Sequence, residues 1–166
     1  ILRRHETPGI AALRSFVTSL ALYRSFAALT GRGDAFALKW PNDVLLQGGK
    51  VAGILLENLG DYLVIGIGVN LAHAPHADEV EAGALRPMSV QRDLGLTIAA
   101  EDMLDTLATE YAVVEEQFVC HGFEPIRRAW LAQAARLGDG ITARTMRESH
   151  QGTFEDVDAS GNLVLR

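Results

Sequence analysis

The first apolar pattern of the chain has the helical period. Between residues 10 and 30, apolar side chains recur at spacings of three, four and seven and fall near one helix face: Leu13, Val17, Leu20 and Ala27. A Thr-Pro-Gly sequence precedes this stretch, and Gly31, a residue type common at helix C-termini, follows it. The pattern predicts one long amphipathic helix from Ile10 to Thr30.

From Ala35 the pattern becomes extended. Four short runs rich in Val, Ile and Leu predict strands: FALKW, VLLQ, KVAGILLEN and YLVIGIGVNL. Gly48 and Gly49 separate the second run from the third, where a tight hairpin needs positive φ angles, so we expect these two strands to be antiparallel neighbours. Residues 73–92 are expected to form an irregular loop that leads into a short helix.

Helical spacing then returns. Apolar residues repeat every three or four positions and predict a helix of roughly 20 residues that ends before Gly122: Met103, Leu107, Tyr111, Val114 and Phe118. A third helix is expected to begin at Pro125 and to end before Gly138. The last runs, ITARTM, HQGTFEDVD and NLVLR, predict strands, with a turn at Ala159–Gly161 between the final two.

These elements predict an α+β fold with a mostly antiparallel sheet backed by helices. The chain has 166 residues, of which 48% are hydrophobic, and suits one ordinary domain with a small appendage. Because about 30 residues cannot build a robust core alone, we expect residues 137–166 to form a small β unit docked on a larger domain, residues 1–136.

Composition and charge exclude some classes of function. A net charge of −6, a pI near 5.3 and scattered basic residues argue against a nucleic-acid interface. The single cysteine, Cys120, cannot form an intramolecular disulfide, and no run is long and apolar enough for a signal peptide or membrane span, so a cytoplasmic protein is expected. The sequence begins at Ile1 and stops at Arg166 after an apolar run, and both ends are expected to continue in a longer protein.

Two groups of residues could carry chemistry, and the first lies at a corner. Pro41 blocks continuation of the FALKW strand, so that Lys39, Trp40, Asn42 and Asp43 are presented together at one turn. The alternative is an ordinary turn in which the Asn and Asp side chains bond their own backbone. The corner alone does not decide between the two.

The second group lies on the two strands after the corner. Lys50 opens the first of these strands, and a lysine in this position is often only a solvated strand end. However, Gly53, Gly66 and Gly68 interrupt the two strands, where glycine costs stability and offers no side chain for packing, so each marks either a bulge or a place where a ligand lies against the backbone. The glycines predict a shallow groove on the sheet face with room for a flat ligand, beside Asn70 at the end of the second strand.

Three other candidate sites are weaker. The sequence GIGVNL lacks the third glycine of a dinucleotide-binding fingerprint, and no helix is predicted to begin there. His73 and His76 have no further His or Cys nearby, so two exposed loop histidines are favoured over a metal site. Cys120 ends a predicted helix without a neighbouring base, which favours an incidental thiol over a nucleophile.

The sequence KWPNDVLLQGGKVAGILLE followed by YLVIGIGVNL resembles the central catalytic core of the biotin protein ligases, which share their fold with lipoate ligases. The resemblance combines the Lys-Trp-Pro-Asn-Asp corner, a lysine seven residues after the Asp, and the two glycine-bearing strands, in that order. It covers residues 10–135, and the C-terminal β unit resembles the SH3-like domain of the family. The family joins biotin to ATP as biotinyl-5′-adenylate, releases pyrophosphate, and passes the biotinyl group to a lysine of a carrier protein.

On the biotin side, the resemblance implies that Lys50 reaches the biotin carboxylate and the α-phosphate of ATP. There a fixed ammonium group neutralises negative charge as one anion attacks another. Gly53 and Ile54 match the strand that lies against biotin, and Gly66 and Gly68 belong to the same groove.

On the nucleotide side, the resemblance assigns Lys39, Trp40, Asn42 and Asn70 to ATP, and Asp43 to Mg²⁺. The implied cofactors are therefore ATP, biotin and Mg²⁺. The implied partner is a biotin carboxyl carrier protein or the biotinyl domain of a carboxylase. No nucleic-acid or membrane partner is expected from this segment, and a homodimer is left open.

The family also carries a glycine- and arginine-rich loop, upstream of the first helix, that folds over the adenylate. This sequence contains no such stretch, so the chain is expected to hold only part of an active site. Two alternatives to a biotin ligase stay open: a lipoate- or octanoyl-ligase-like enzyme, and a non-catalytic module that holds biotin or its adenylate.

Overall fold

The computed structural model describes residues 1–3, 6–76, 78–81, 83–144 and 148–166. The elements follow in chain order: β1 (Leu2–Arg3), α1 (Pro8–Ala12), α2 (Arg14–Thr30), β2 (Phe36–Lys39), β3 (Asp43–Leu46), β4 (Gly49–Leu59), β5 (Tyr62–Val69), α3 (Val90–Leu94), α4 (Ala100–His121), α5 (Phe123–Leu131), β6 (Gly140–Arg144), β7 (Ser149–Val157) and β8 (Leu163–Leu165). Helices and antiparallel sheets are both present, so the predicted α+β class is confirmed.

The central helix, α2, is buried along most of its length. The single helix predicted from residue 10 to residue 30 is instead two helices, α1 and α2, which are separated at Leu13. Polar residues of α2 are buried as well as apolar ones, and the Thr18 hydroxyl donates to the Arg14 carbonyl at 2.7 Å. α2 packs against the sheet and against α4, so it is a core helix whose buried surface extends beyond the one apolar face that the sequence pattern indicated.

The larger sheet has five antiparallel strands in the order β1-β5-β4-β3-β2. The predicted hairpin between β3 and β4 is confirmed, and Leu46 pairs with Gly49 next to its turn. The positive φ angles belong to Gln47 (49°) and Gly48 (84°), so Gly49 is not a turn residue. Gly49 serves a close approach, because a Cβ there would lie 2.6 Å from the carbonyl oxygen of Arg86.

The smaller sheet, β6-β7-β8, shares the hydrophobic core of the larger domain. Phe154 and Val157 of β7 are buried in that core. Arg127 of α5 donates to the Val157 carbonyl at 3.0 Å and to the Asp156 carboxylate at 2.5 Å. The predicted β unit therefore packs tightly on the rest of the chain, while its boundary at residue 137 stays a prediction. The last two residues of the predicted strand ITARTM lie outside the described residues.

The two later helices lie close to their predicted positions. α4 ends before Gly122 as predicted, whereas α5 begins at Phe123, two residues before Pro125. Across the described ranges, no helix combines the length and the apolar character that crossing a membrane requires.

Candidate functional site

Both lysines of the sequence contact one carboxylate at the corner between β2 and β3. Lys50 Nζ lies 2.6 Å from Asp43 Oδ1, and Lys39 Nζ lies 3.5 Å from Asp43 Oδ2. The Asp43 side chain is only 12% exposed, whereas those of Lys39 and Lys50 are 42% and 45% exposed. A nearly buried anion thus holds two half-exposed ammonium groups, which can attract anionic groups of a ligand.

A β-bulge in β4 determines the direction of the Lys50 side chain. Asp43 of β3 pairs with Gly53 of β4. Two residues further along β3, Leu45 pairs with Lys50, so β4 carries one extra residue at Val51. Residues three apart in a regular strand point to opposite faces. The bulge instead brings the Lys50 ammonium over Gly53, where a Cβ would lie 2.9 Å from Lys50 Nζ.

Three glycines, Gly53, Gly66 and Gly68, form a shallow trough on the open face of β4 and β5, which we call the glycine trough. Gly53 pairs with Gly68 across the two strands, and Leu55 pairs with Gly66. A Cβ on Gly68 would meet open space, and one on Gly66 would lie 3.6 Å from the Leu55 carbonyl oxygen. The Leu55 side chain is 59% exposed. The three glycines therefore leave an open sheet face with a backbone floor and Lys50 at one end, and the binding of a ligand there stays a prediction.

The side chain of Ile54 points away from the glycine trough. It is 4% exposed and packs in the hydrophobic core on the opposite face of the sheet. The Ile54 N–H donates to the Asn42 carbonyl at 3.0 Å, and the Ile54 carbonyl accepts from Asn42 Nδ2 at 2.7 Å. The Ile54 side chain therefore does not face the trough, and the place of Ile54 in the strand that lies against biotin stays a prediction. Asn42 uses its amide to hold β4 beside the corner.

Trp40 connects the corner to the C-terminal β unit. Its indole Nε1 donates to the Gly161 carbonyl at 2.9 Å, in the turn between β7 and β8. The Trp40–Pro41 peptide bond is cis, and the Pro41 carbonyl accepts from the Ser15 hydroxyl of α2 at 2.8 Å. The indole N–H of Trp40 is thus engaged within the protein, where it ties the corner to the C-terminal β unit, and the assignment of Trp40 to the nucleotide stays a prediction.

A short segment, Arg86–Ser89, lies beside the start of β4, where β5 no longer pairs with that strand. We call this segment the strap. The Lys50 N–H donates to the Arg86 carbonyl at 2.9 Å, and the Lys50 carbonyl accepts from the Met88 N–H at 2.8 Å. Asn70, directly after β5, donates from Nδ2 to the Met88 carbonyl at 3.0 Å. Lys50 is therefore not a free strand end, and the Asn70 amide, predicted to lie near a nucleotide, holds the strap.

The sequence patterns did not indicate the strap or the side chains that fasten it. Arg92 Nη2 donates to the Pro87 carbonyl at 2.5 Å, and Asp93 Oδ2 accepts from the Ser89 N–H at 2.8 Å. One signal was available in Gly49, because a glycine inside a strand often marks the close approach of another backbone segment.

The residues at the corner do not fit a resident magnesium ion. Mg²⁺ is usually held by one or two carboxylates together with substrate phosphates. Both oxygens of Asp43 already face ammonium groups, so a metal ion there would have to displace Lys50. The part of the chain that the structure describes contains no cluster of three or more metal-binding side chains, at His73 and His76 or elsewhere. Cys120 is exposed at the end of α4.

The fold and the site together define the class of protein as an α+β domain with a candidate ligand-binding sheet face. It is an α+β domain with an open, glycine-floored sheet face and a lysine ammonium group fixed at one end of it. Such a face suits a flat ligand that carries a negative charge.

Comparison with known proteins identifies the family. The model of the biotin/lipoate A/B protein ligase family matches residues 5–70. A biotin–[acetyl-CoA-carboxylase] ligase of Paracoccus denitrificans is 52% identical over 171 residues, which cover all of this chain and 71% of that protein. The chain therefore belongs to the biotin/lipoate protein ligase family, as the sequence resemblance implied.

Other relatives are more distant. The bifunctional ligase/repressor BirA of Bacillus subtilis strain 168 is 29% identical over 157 residues, which cover 88% of this chain but only 47% of that protein. The biotin protein ligase of Aquifex aeolicus, solved with biotin and ATP, has a TM-score of 0.85 at 22% identity over 99% of this chain and 68% of that chain. At this identity the likeness establishes the shared fold.

Proposed function

We propose that the protein is a biotin–protein ligase, which makes biotinyl-5′-adenylate from biotin and ATP and transfers the biotinyl group to a lysine of a carboxylase carrier domain. The observation that carries the proposal is the Lys50 ammonium group at the end of the glycine trough, 2.6 Å from Asp43. The substrates come from the family, since the Paracoccus denitrificans relative is named for this reaction and the Aquifex aeolicus ligase was solved with biotin and ATP.

In the first step, a biotin carboxylate oxygen attacks the α-phosphorus of ATP; an O–P bond forms, and the bond to pyrophosphate breaks. Both reactants are anions, so a fixed ammonium group between them offsets their repulsion and stabilises the charge of the transition state. Asp43 holds Lys50 before a ligand arrives, which lowers the reorganisation that the reaction requires. In the second step, the acceptor amine attacks the carbonyl carbon of the mixed anhydride, and AMP leaves.

The carrier domain, the cytoplasmic location and the requirement for Mg²⁺ also belong to this proposal. Because the corner does not fit a resident metal ion, Mg²⁺ is expected to accompany the phosphates of ATP. A homodimer stays a prediction.

The proposal is tested by biotin-dependent pyrophosphate release from ATP in the full-length protein. Lys50→Ala should lower the rate by about 100-fold or more, the scale of losing one preorganised electrostatic donor. The melting temperature should change little, because the Lys50 side chain is half-exposed. Arg128→Ala, at an exposed position on α5, is the control and should keep the wild-type rate. Near-normal pyrophosphate release by Lys50→Ala would contradict the role of the ammonium group, and release that lipoate or octanoate stimulates better than biotin would contradict the substrate.

A further inference from the structure

The main chain of Lys50 is held by the strap on one side and by β3 on the other. On the strap side, Arg86 accepts the Lys50 N–H and Met88 donates to the Lys50 carbonyl, at 2.9 and 2.8 Å. On the β3 side, Lys50 pairs with Leu45 at the bulge. A bulge interrupts the regular ladder. The strap is therefore the element that can fix the backbone under the Lys50 ammonium group.

The strap is itself held by side chains that lie further along the chain. Arg92, the third residue of α3, donates from Nη2 to the Pro87 carbonyl at 2.5 Å, at the point where Pro87 forms a parallel bridge with Lys50. Asp93 fastens the end of the strap by accepting the Ser89 N–H at 2.8 Å. The same carboxylate forms an ion pair with Arg92 at 2.9 Å. Arg92 thus contacts both the strap and Asp93, the acid that orients the Arg92 guanidinium group.

The surroundings of Asp93 favour the ionised form of its carboxylate. Burial alone would raise the pKa of its carboxyl group, but the hydrogen bonds from Arg92 and from the Ser89 N–H outweigh burial and hold the pKa below its ordinary value. Arg86 lies further away, 4.0 Å from the other carboxylate oxygen, and acts in the same direction. The ionised carboxylate then anchors the Arg92 guanidinium against the strap.

We infer that Arg92 is a positioning residue for Lys50: it fixes the Pro87 carbonyl and the strap, and the strap fixes the backbone from which the Lys50 ammonium group reaches the glycine trough. The catalytic consequence of this inference rests on the proposed ligase function. The structural part does not, because it concerns only the hydrogen bonds between Lys50 and the strap.

The structural part is tested by amide hydrogen exchange in the full-length protein, measured by NMR. In Arg92→Ala, the amides of Lys50 and Met88 should exchange about 10-fold faster or more, because both donate within the strap contact. Gln91→Ala, at the exposed neighbouring position on α3, is the matched control and should leave both amides protected. The amide of Leu38, which donates to the Gln133 carbonyl at the far edge of the sheet, is the internal reference. Unchanged protection in Arg92→Ala, or equal acceleration at Leu38, overturns the inference.

The catalytic part is tested by a double-mutant cycle on pyrophosphate release. Arg92→Ala alone should lower the rate about 10-fold, since small misplacements of a catalytic group are costly. In the Lys50→Ala background the same change should cost less than about twofold, because the group that it positions is absent. Arg92→Lys, which retains a donor, should restore part of the loss. An equal loss in both backgrounds contradicts the positioning role. If the wild-type protein forms no adenylate, the proposed function fails, and the exchange measurement still decides whether Arg92 holds the strap.

Discussion

A single methyl group added at Gly53 should displace the Lys50 ammonium group. A Cβ at Gly53 would lie 2.9 Å from both Cε and Nζ of Lys50 and 3.5 Å from Asp43 Oδ1. Its cross-strand partner, Gly68, offers a matched control, because a Cβ there would meet no protein atom within 4 Å. Gly53→Ala and Gly68→Ala therefore add the same group to the same trough, and only the first collides with the lysine.

The expected loss follows from the size of that collision. Ordinary van der Waals contact begins at 3.4 Å, so the end of the Lys50 side chain must move by about 0.5–1 Å, a displacement that can lower a rate by about 10- to 100-fold. The fold should tolerate the change, because the ammonium end is flexible and alanine suits a strand interior better than glycine. The free energy of unfolding should change by less than about 1 kcal/mol.

Three measurements separate the two variants: biotin-dependent pyrophosphate release, biotin affinity by calorimetry, and urea unfolding. Gly53→Ala should lower the rate at saturating biotin. Gly68→Ala should weaken biotin binding more than it lowers that rate, because its methyl group meets the ligand and leaves the lysine in place. Equal loss of rate in both variants, or a full rate in Gly53→Ala, would refute the reasoning that Gly53 is small to make room for Lys50.

Two further predictions concern the supports of the site. Trp40→Phe removes the indole donor to the Gly161 carbonyl and should lower the free energy of unfolding by about 1 kcal/mol, the net value of one hydrogen bond; an unchanged urea midpoint would show that this contact is dispensable. Because the pKa of Asp93 in the folded protein lies below its ordinary value of 3.8, its carboxylate stabilises the fold above about pH 4 and loses this effect as the pH falls through the folded pKa. Asp93→Asn should therefore be less stable than the wild type at about pH 7, with a difference that shrinks towards about pH 3; a difference independent of pH would contradict the charged role.

Much of the fold could be predicted from local patterns. The β3–β4 hairpin and α4 have sequence signals that lie within the elements themselves, namely turn glycines and apolar residues at a regular spacing. The break at Leu13 had no such signal, because the apolar period continues across it. The burial of the polar residues of α2 had no signal either, since hydroxyl groups that bond to their own helix backbone look polar in a sequence but can be buried.

The site was predicted only in part, because its geometry depends on contacts between distant segments. Lys50 and the glycines were singled out from the strand pattern, and a bulge was one of the two explanations for Gly53, but the sequence did not show that the bulge would put Lys50 over Gly53. Gly49 was interpreted as a turn residue, whereas it makes room for the strap, which comes from a loop much later in the chain. Likewise, the sequence around Trp40 did not indicate that the indole N–H donates to the carbonyl of Gly161, because the two residues lie far apart in the chain.

The most direct test of the proposed function is the transfer of biotin to a carrier domain. Full-length protein is incubated with biotin, ATP, Mg²⁺ and a purified biotinyl domain of a carboxylase, and the intact mass of that domain is measured over time. We expect the carrier domain to gain the mass of one biotinyl group at its acceptor lysine, and the gain to be lost when ATP is omitted or when Lys50→Ala replaces the wild type. A carrier domain of unchanged mass with an otherwise folded, biotin-binding protein would contradict a ligase and indicate a module that binds biotin without turnover.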